Sequence, residues 1–421
     1  MAQQRFVVAG EDRGWVEKCG WRSAEDVLTC ASGGVAAVSR SSDVVHVPID
    51  ESLGGPGSVF VKRYLYKRRS QRIKQMFRGT LFGKSRARTE YEFLQEMCSR
   101  HVPTVRPIAY GEMRKGGLLR GSFIITEGME GGRSLDILAL HARRNKTMTP
   151  AAKMALIRGL AMLVRGMHDA GVQHGGLYWR NILVHALPQD KYAFALLDPA
   201  SGGRLSPSPV PLEAAVKDLS QFVASAMALD MRGGLRSFMC AYFQVNDLTS
   251  EQRRVIARLV ENARLRTSQE RSRMAVAEAT DWFRNRATQA QRCPENIRRY
   301  ESLDEFFDLV RSCEAVSMEL SKKKLVFHLS FADVDQTDGN CQRSVLIEGG
   351  RVTLSSQSGS KPDMVIRTDS QTWLAVLSGR PDAYAHLRAG RLRLHGDTRL
   401  LPTLVAYIDK LSHLATPNAG K

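Results

Sequence analysis

The stretch that decides the fold reads Val172-Gln173-His174-Gly175-Gly176-Leu177-Tyr178-Trp179-Arg180-Asn181-Ile182-Leu183-Val184. Before it, a helical pattern of apolar residues stops at Gly171, and after it the run from Ile182 is apolar and β-type. A second apolar run, residues 192–197, ends in Asp198. The pattern predicts a helix, a short loop and two buried strands, with Asn181 and Asp198 at the mouths of those strands.

Asn181 and Asp198, at these strand ends, are residue types that bind divalent cations. Asparagine and aspartate offer oxygen atoms, which Mg²⁺ prefers, and Mg²⁺ keeps phosphate groups as its other partners. The spacing from His174 to Asn181, followed by Asp198, is that of a kinase catalytic loop and its metal-binding Asp. The match is partial, because Gly176 stands at the position of the catalytic base and Ala200 where glycine is usual. Glycine cannot accept a proton, so we expect the metal ligands to be present and the base to be absent.

A second group of residues predicts an ion pair that grips phosphate. Residues 58–64 have a strand pattern that contains Lys62, and residues 89–98 have a helical pattern that contains Glu90. A strand lysine held by a helix glutamate fits a phosphate-binding pair. The alternatives are a solvent-facing strand lysine and a glutamate that only complements the helix dipole. Nearer the N-terminus, residues 26–29 and 44–47 are predicted as short strands.

The composition indicates a folded protein with reduced cysteines. The 421 residues suffice for two or three domains, and the hydrophobic fraction of 43% is that of a globular protein. No apolar run reaches the roughly 20 residues of a membrane helix, and the first residues lack a signal-type segment. The seven cysteines are odd in number and never form a C-x-x-C pair, which indicates reduced thiols, a cytoplasmic location and no zinc site.

The net charge of +18 indicates anionic partners. Between Lys62 and Arg88 there are 11 basic residues and no acidic ones, with Phe77 and Leu81 interleaved. This composition suits an anionic membrane surface or a phosphorylated glycolipid, and predicts peripheral association with the inner membrane. The alternative is a charge that serves solubility alone. Nucleic acid is not expected as a partner, because no aromatic platform or known binding module is found.

A series of motifs extends over residues 58–278. In chain order they are Phe60-Val61-Lys62-Arg63-Tyr64, Glu90-Tyr91, Pro107-Ile108-Ala109-Tyr110-Gly111-Glu112, Ile125-Thr126-Glu127, His174 with Asn181, and Lys217-Asp218-Leu219. Together they resemble the Kdo/heptose lipopolysaccharide kinase family, whose members have a protein-kinase-like fold. The departures at Gly176 and Ala200 concern catalysis and leave the expected fold unchanged.

The resemblance implies site residues and cofactors. Lys62 and Glu90 correspond to the pair that grips the phosphates of ATP. Asn181 and Asp198 correspond to the ligands of Mg²⁺. The backbone of Glu127 to Met129 corresponds to the adenine contact, and residues 217–219 to the helix that braces the catalytic loop.

From Lys324 onward the pattern changes to short strands of alternating polarity. Strands are predicted at 325–331, 343–348, 351–354, 363–367 and 392–397, with a hairpin turn at Gly349-Gly350 and helices at 370–378, 381–390 and 400–411. The motifs Asp363-x-Val365-Ile366, Trp373-x-x-Val376-Leu377-Ser378-Gly379-Arg380-Pro381-Asp382-Ala383 and Ala389-Gly390-Arg391-Leu392-Arg393-Leu394-x-Gly396-Asp397 resemble the sterol carrier protein type two family. That family implies a curved sheet whose helices enclose an apolar tunnel for lipids. The alternative is that Trp373 and its apolar neighbours only fill a small core.

The expected fold class is α+β. It comprises a two-lobed protein-kinase-like domain at 1–284, a helical connector at 285–318 and a smaller sterol-carrier-like domain at 319–415. Three functions stay open: a kinase-like module with weak or no activity coupled to a lipid-binding module, an active phosphotransferase on a lipid-linked sugar, or a lipid carrier without nucleotide binding. In the second, His174 or Tyr178 would position the acceptor.

Overall fold

A computed structural model describes most of the chain, namely residues 2–30, 34–38, 42–65, 83–145, 148–199, 203–292, 298–312, 324–334, 342–348, 351–355, 362–380 and 391–414. The chain divides into two compact units, Met1–Ser268 and Gln269–Lys421. Among the described residues, no helix is both long enough and apolar enough to cross a bilayer.

The first unit contains an antiparallel sheet and a helical lobe. Its elements are β1 (Ala2–Val8), α1 (Arg13–Lys18), α2 (Ala24–Thr29), β2 (Gly34–Val38), β3 (Ser42–Pro48), β4 (Ser58–Leu65), α3 (Arg86–Ser99), β5 (Pro107–Lys115), β6 (Leu118–Glu127), β7 (Arg133–Ser134), α4 (Leu135–Asn145), α5 (Pro150–Asp169), β8 (Val172–Gln173), β9 (Ile182–Leu187), β10 (Lys191–Leu196), β11 (Arg204–Leu205), α6 (Leu212–Ala228), α7 (Leu235–Phe243) and the first part of α8 (Ser250–Arg292). The described strands of the sheet follow the order β1-β5-β6-β4-β3-β2.

The N-terminal segment corrects one prediction. Residues 26–29, predicted as a strand, belong to helix α2. The reason is a capping box: the Ser23 side chain accepts a hydrogen bond from the Asp26 N–H, and the Asp26 carboxylate accepts one from the Ser23 N–H. Such reciprocal capping outweighs the weak β preference of a four-residue run. The strand predicted at 44–47 is confirmed within β3.

The cap and the apolar face of helix α3 determine how it packs against the sheet. Ser85 caps it by accepting a hydrogen bond from the Arg88 N–H. Its buried face includes Tyr91, Leu94 and Met97 and also the carboxylate of Glu90. An apolar face at this spacing holds the helix on the sheet, and it brings Glu90 to the strand that carries Lys62.

The helical lobe is built around α5 and α6. Thr149 caps α5 at the N-terminus, where Pro150 begins the helix. At its end, Gly171 has a φ of 74°, and a Cβ there would lie 2.2 Å from the Ser206 carbonyl oxygen. Helix α6 is buried along almost its whole length. The loop 174–181 therefore begins at a fixed point and lies against a buried helix.

The second unit is a smaller sheet with helices. Its elements after α8 are α9 (Leu303–Ser312), β12 (Leu325–Phe331), β13 (Gln342–Glu348), β14 (Arg351–Ser355), β15 (Met364–Thr368), α10 (Ser370–Leu377), β16 (Arg393–Gly396) and α11 (Leu401–Leu414). The strand order in the described part is β14-β13-β12-β15-β16, with β12 and β15 parallel and the other pairs antiparallel. The predicted α+β class, a two-lobed kinase-like fold with a smaller α+β domain, is confirmed.

Helix α9 belongs to the core of the second unit. Phe306, Phe307 and Val310 are almost completely buried in one cluster with residues of β12, β13 and β15. The division into compact units at 268/269 also precedes the predicted connector. The predicted limits 1–284, 285–318 and 319–415 stay a prediction, and the packing of α9 argues against a free-standing connector.

Several predicted features lie outside the described residues. They are the basic segment from 66 to 82, Ala200, the turn Gly349-Gly350 and the helix at 381–390. Within the described part of the chain, Cys19, Cys98 and Cys240 form no disulfide, and the reduced state of all seven cysteines stays a prediction.

We expect Phe306→Ala to destabilise the second unit by about 3–5 kcal/mol, because it removes a buried ring from the middle of the core. The measurement is chemical unfolding followed by hydrogen exchange at β12 and β13. Asp308→Ala changes an exposed residue of the same helix and serves as the control. Equal effects of the two substitutions would show that α9 is not part of this core.

Candidate functional site

Lys62 joins two carboxylates that are distant in the sequence. Its Nζ lies 3.1 Å from both Oε1 and Oε2 of Glu90 and 2.6 Å from Oδ1 of Asp198. The lysine comes from β4, the glutamate from α3, and the aspartate from the end of β10. The sequence predicted the first of these contacts, and the structure adds the second.

Tyr64 completes this cluster and was not identified from the sequence. Its hydroxyl donates a hydrogen bond of 2.8 Å to Oε2 of Glu90. The ring is buried, and Nζ of Lys62 lies 5.4 Å from its centroid. The sequence could have identified Tyr64, because residues two apart on a strand share one face and Tyr64 lies two residues after Lys62. Tyr64 thus orients the carboxylate that holds Lys62.

The ionisation of the cluster follows from these contacts. Burial alone would lower the pKa of Lys62, but the Glu90 and Asp198 carboxylates raise it above its usual value. Burial would raise the pKa of Asp198, but the Lys62 charge outweighs it and the pKa falls below the usual range. Lys62 is therefore a permanent cation, and Asp198 a carboxylate at neutral pH.

Asn181 and Asp198 lie on adjoining backbone segments. The Leu197 N–H donates to the Asn181 carbonyl oxygen at 3.0 Å. Asn181 Nδ2 donates to the Gly176 carbonyl oxygen at 2.8 Å, so its Oδ1 remains as the atom for a cation. Asp198 has a φ of 55°, in the left-handed region that aspartate tolerates better than most residues.

The loop around Gly176 is held by helix α6. The carboxylate of Asp218 accepts hydrogen bonds from the N–H groups of His174, at 2.7 Å, and Gly175, at 2.8 Å. Gln221 accepts from the Leu177 N–H at 2.8 Å and donates to the Gly175 carbonyl oxygen at 3.0 Å.

The bracing groups form a polar stripe on a buried helix. Ser225 Oγ accepts from the Trp179 N–H at 3.2 Å, which places Asp218, Gln221 and Ser225 on one face of α6. Only Asp218 was identified beforehand. The spacing of three polar residues at i, i+3 and i+7 in an otherwise apolar helix would have indicated the other two.

His174 has a structural role in this loop. Its ring is fully buried; Nδ1 accepts from the Gly176 N–H at 3.3 Å, and Nε2 lies 3.2 Å from the Leu197 carbonyl oxygen. Burial lowers the pKa of His174, so the ring is neutral at pH 7. Because both nitrogens are engaged, the proposed contact of His174 with an acceptor is wrong. Tyr178, which is partly exposed, remains for that role.

Glu127 and Met129 lie where the sheet passes into the helical lobe. The Glu127 N–H donates to the Arg106 carbonyl oxygen at 2.9 Å, and Arg106 Nε donates to Oε2 of Glu127 at 2.6 Å. A Cβ on Gly128 would lie 2.2 Å from Ser58 Oγ and 3.0 Å from the Ser58 carbonyl oxygen, so a larger residue here would require Ser58 to shift. Backbone atoms at this turn are thus held in place, as a base-binding segment requires.

An apolar cavity lies in the helical lobe next to the loop. Its volume is about 70 Å³, and it is partly open to solvent. Its walls come from α4, α5, α6, α7 and the side chain of Trp179, with Lys153 at the margin. Trp179 therefore connects the loop that carries Gly176 and Asn181 to an apolar interior.

The predicted lipid-binding residue of the second unit is part of its core. Trp373 is 2% exposed, and its ring lies edge-on to Phe306 with 6.1 Å between centroids. This packing places Trp373 in the core of the second unit, and its contact with a lipid stays a prediction.

Comparisons with known proteins agree with both halves of this description. Residues 55–242 match the Lipopolysaccharide kinase (Kdo/WaaP) family model, and residues 305–409 match the SCP-2 sterol transfer family model. Both resemblances derived from motifs are confirmed.

The curated relatives are similar to only part of this chain. They include lipopolysaccharide core heptose(I) kinase WaaP of Pseudomonas aeruginosa, 29% identical over 115 residues, and the enzyme of the same name of Escherichia coli, 32% identical over 96 residues. These alignments cover 27% and 23% of this chain and 42% and 36% of those proteins, so the chain spans about two fifths of the relatives it matches. A solved structure, "WaaP in complex with acyl carrier protein", is 22% identical, with 63% of this chain and 99% of that chain covered and a TM-score of 0.45.

We expect Asp218→Ala to loosen the loop. The substitution leaves two buried N–H groups without their acceptor, at a cost of about 1–3 kcal/mol for each. Hydrogen exchange at His174 and Gly175 should accelerate, and the unfolding midpoint should fall. Asp169→Ala, at a half-exposed aspartate, is the control. Unchanged protection at both amides would contradict the bracing role.

Proposed function

We propose that the first unit binds ATP and Mg²⁺ in the cleft at Lys62 and serves lipid or lipopolysaccharide/glycolipid metabolism as a kinase-like module with weak or no phosphoryl transfer. The main observation behind this proposal is that the ammonium of Lys62 contacts Glu90 and Asp198 at the same time. A lysine held by a helix carboxylate beside a strand-end aspartate suits nucleotide phosphates. The family match over residues 55–242 supports the same class.

The groups at the site suit Mg²⁺. Asp198 and Asn181 offer oxygen atoms, and a cation with few protein ligands completes its shell with phosphate and water. Bound Mg²⁺ neutralises phosphate charge. In this proposal Lys62 contacts the phosphates, and the backbone of Glu127 and Met129 contacts the adenine.

Gly176 supports weak or absent catalysis. A positioned general base contributes typically 10²–10⁴-fold to a rate, and glycine has no group for that role. Phosphoryl transfer depends mainly on positioning and charge neutralisation, which the braced loop and Lys62 still offer. An active phosphotransferase on a lipid-linked sugar is therefore the alternative, with Tyr178 beside the acceptor.

Lipid binding is the second function that we propose. The match of residues 305–409 to a sterol transfer family supports it for the second unit. The apolar walls of the cavity in the first unit, whose volume is about 70 Å³, support a further site for an apolar group there. A carrier that binds lipid without nucleotide remains the alternative. We place the protein in the cytoplasm, with contact to the anionic face of the inner membrane through its excess of basic residues.

ATP should stabilise the protein only when Mg²⁺ is present. At a hundredfold excess over Kd, binding raises the free energy of unfolding by about 2.7 kcal/mol. We expect Lys62→Ala and Asp198→Ala to abolish the thermal shift, because they remove the cation and the metal ligand. Lys84→Ala, at an exposed lysine of the same lobe, is the control. Absence of any shift with millimolar ATP would refute the nucleotide-binding proposal.

ATP consumption by the wild type and by two variants distinguishes an inactive binding module from a slow enzyme. Slow ATP consumption that Asp198→Ala abolishes and Gly176→Asp accelerates would identify an active phosphotransferase. Nucleotide binding with no consumption in either the wild type or Gly176→Asp would identify a binding module.

A fluorescent fatty acid should bind to the full chain. Ala226→Phe puts a ring into the cavity of the first unit, so the binding attributed to that cavity should be lost while binding to the second unit stays. The measurement is a fluorescence titration, with mass spectrometry of copurifying lipids. Ala186→Phe, at an exposed position of β9, is the control. If Ala226→Phe leaves the titration unchanged, the cavity of the first unit is not a binding site for the fatty acid.

A further inference from the structure

Arg106 joins the segment proposed to contact adenine to the N-terminal segment, residues 2–29. It lies directly before β5. On one side, its Nε donates a hydrogen bond of 2.6 Å to Oε2 of Glu127. On the other side, Nη1 donates to Oδ2 of Asp12 at 2.6 Å and to Oε1 of Glu11 at 2.9 Å, and Nη2 donates to Oδ1 of Asp12 at 3.2 Å. A guanidinium holds its donors in a rigid planar fork, so these contacts fix the Glu127 carboxylate relative to Asp12.

Asp12 is the fixed end of this connection. Its side chain is 5% exposed, and its Oδ1 also accepts a hydrogen bond of 2.8 Å from Nε1 of Trp15. The ring of Trp15 is buried in one core cluster with Ile108 and Phe123 of the sheet. The backbone is fixed as well, because the Ala9 N–H donates to the Ile108 carbonyl oxygen at 2.9 Å. Asp12 is therefore anchored to the core of the sheet and holds Arg106 in one place.

Glu127 is the end that depends on Arg106. Its side chain is 39% exposed, so less of the surrounding core restrains it. The carboxylates of Glu11, Asp12 and Glu127 converge on the one guanidinium, and like charges repel each other. Without the cation of Arg106, this repulsion would move Glu127 away from Asp12. The position of Glu127 thus reports on the presence and the orientation of the guanidinium.

The residues before Arg106 connect it to the strand that carries the proposed metal ligand. The Val105 N–H donates to the Leu196 carbonyl oxygen at 3.0 Å, and the Leu196 N–H donates to the Pro103 carbonyl oxygen at 3.0 Å. Leu196 is the last residue of β10, two residues before Asp198. Arg106 is therefore fixed relative to both ends of the proposed nucleotide site.

We propose that Arg106, anchored by Asp12, is a positioning residue for the nucleotide base: it holds Glu127 so that the backbone of 127–129 meets the adenine while Asp198 meets the metal. The inference rests on the proposed nucleotide site and extends it. Asp12 precedes residues 55–242, which match the family model, so the N-terminal segment of this chain contributes to base binding from outside that region. Arg106 acts through Glu127 and does not touch the nucleotide.

The test compares ATP with inorganic tripolyphosphate by calorimetry on the full chain with Mg²⁺. Both ligands offer phosphates to Lys62 and Asp198, but only ATP has a base. Glu127→Ala should weaken ATP binding about tenfold, which corresponds to one hydrogen bond between protein and base, and leave tripolyphosphate binding unchanged. Glu92→Ala is the matched control, because Glu92 is a similarly exposed carboxylate of the same lobe that pairs with Lys84 and Arg88.

A double variant tests whether Asp12 acts through Arg106. Asp12→Asn removes the charge that anchors the guanidinium and should also weaken ATP relative to tripolyphosphate. Because both substitutions act on one connection, Asp12→Asn combined with Glu127→Ala should lose no more ATP affinity than Glu127→Ala alone. The unfolding midpoint of each variant is measured alongside.

The pattern of affinities separates a failure of this inference from a failure of the nucleotide site. Unchanged ATP binding in Glu127→Ala, additive losses in the double variant, or an equal loss of both ligands would overturn the positioning role, since the last result indicates general loosening of the fold. In those cases the wild type still binds ATP. A wild type that binds neither ligand with Mg²⁺ would refute the nucleotide site itself, and the positioning role with it.

Discussion

One ammonium group between two carboxylates organises the first unit. Lys62 is separated by 28 residues from Glu90 and by 136 residues from Asp198, yet it contacts both. A buried charge is costly unless it is paired and hydrogen-bonded, so the loss of either carboxylate weakens the pairing of Lys62. The hydroxyl of Tyr64 adds a third attachment on Glu90. The sheet, α3 and the end of β10 are thereby held in one arrangement, and the cleft is a consequence of it.

The loop that carries Gly176 is held by different groups, and this separates binding from catalysis. Asp218, Gln221 and Ser225 bond to its backbone, and a residue without a side chain at position 176 alters none of those bonds. The orientation of Asn181 likewise depends on the carbonyl oxygen of Gly176, which any residue would supply. The hydrogen bonds that hold the loop against α6 therefore do not depend on a side chain at position 176.

The elements that could be predicted from the sequence are those encoded by apolar periodicity and motif spacing. The placement of Lys62 on a strand and of Glu90 on a helix follows from local patterns, and so does the alternation of strands after residue 324. Residues 26–29 were assigned wrongly because a capping interaction, which is local but weakly marked, outweighed strand preference. The contact of Lys62 with Asp198 and the burial of α9 could not be predicted, since an apolar face indicates that a helix is covered but not what covers it.

The turn Trp179–Asn181 shows why the nucleotide and lipid interpretations need not exclude each other. Trp179 lines the apolar cavity, while Asn181 two residues later is oriented by Gly176 toward the cleft. The backbone of this turn is fixed at Trp179 by Ser225. The apolar cavity and the side chain of Asn181 therefore border one short, braced segment of the chain.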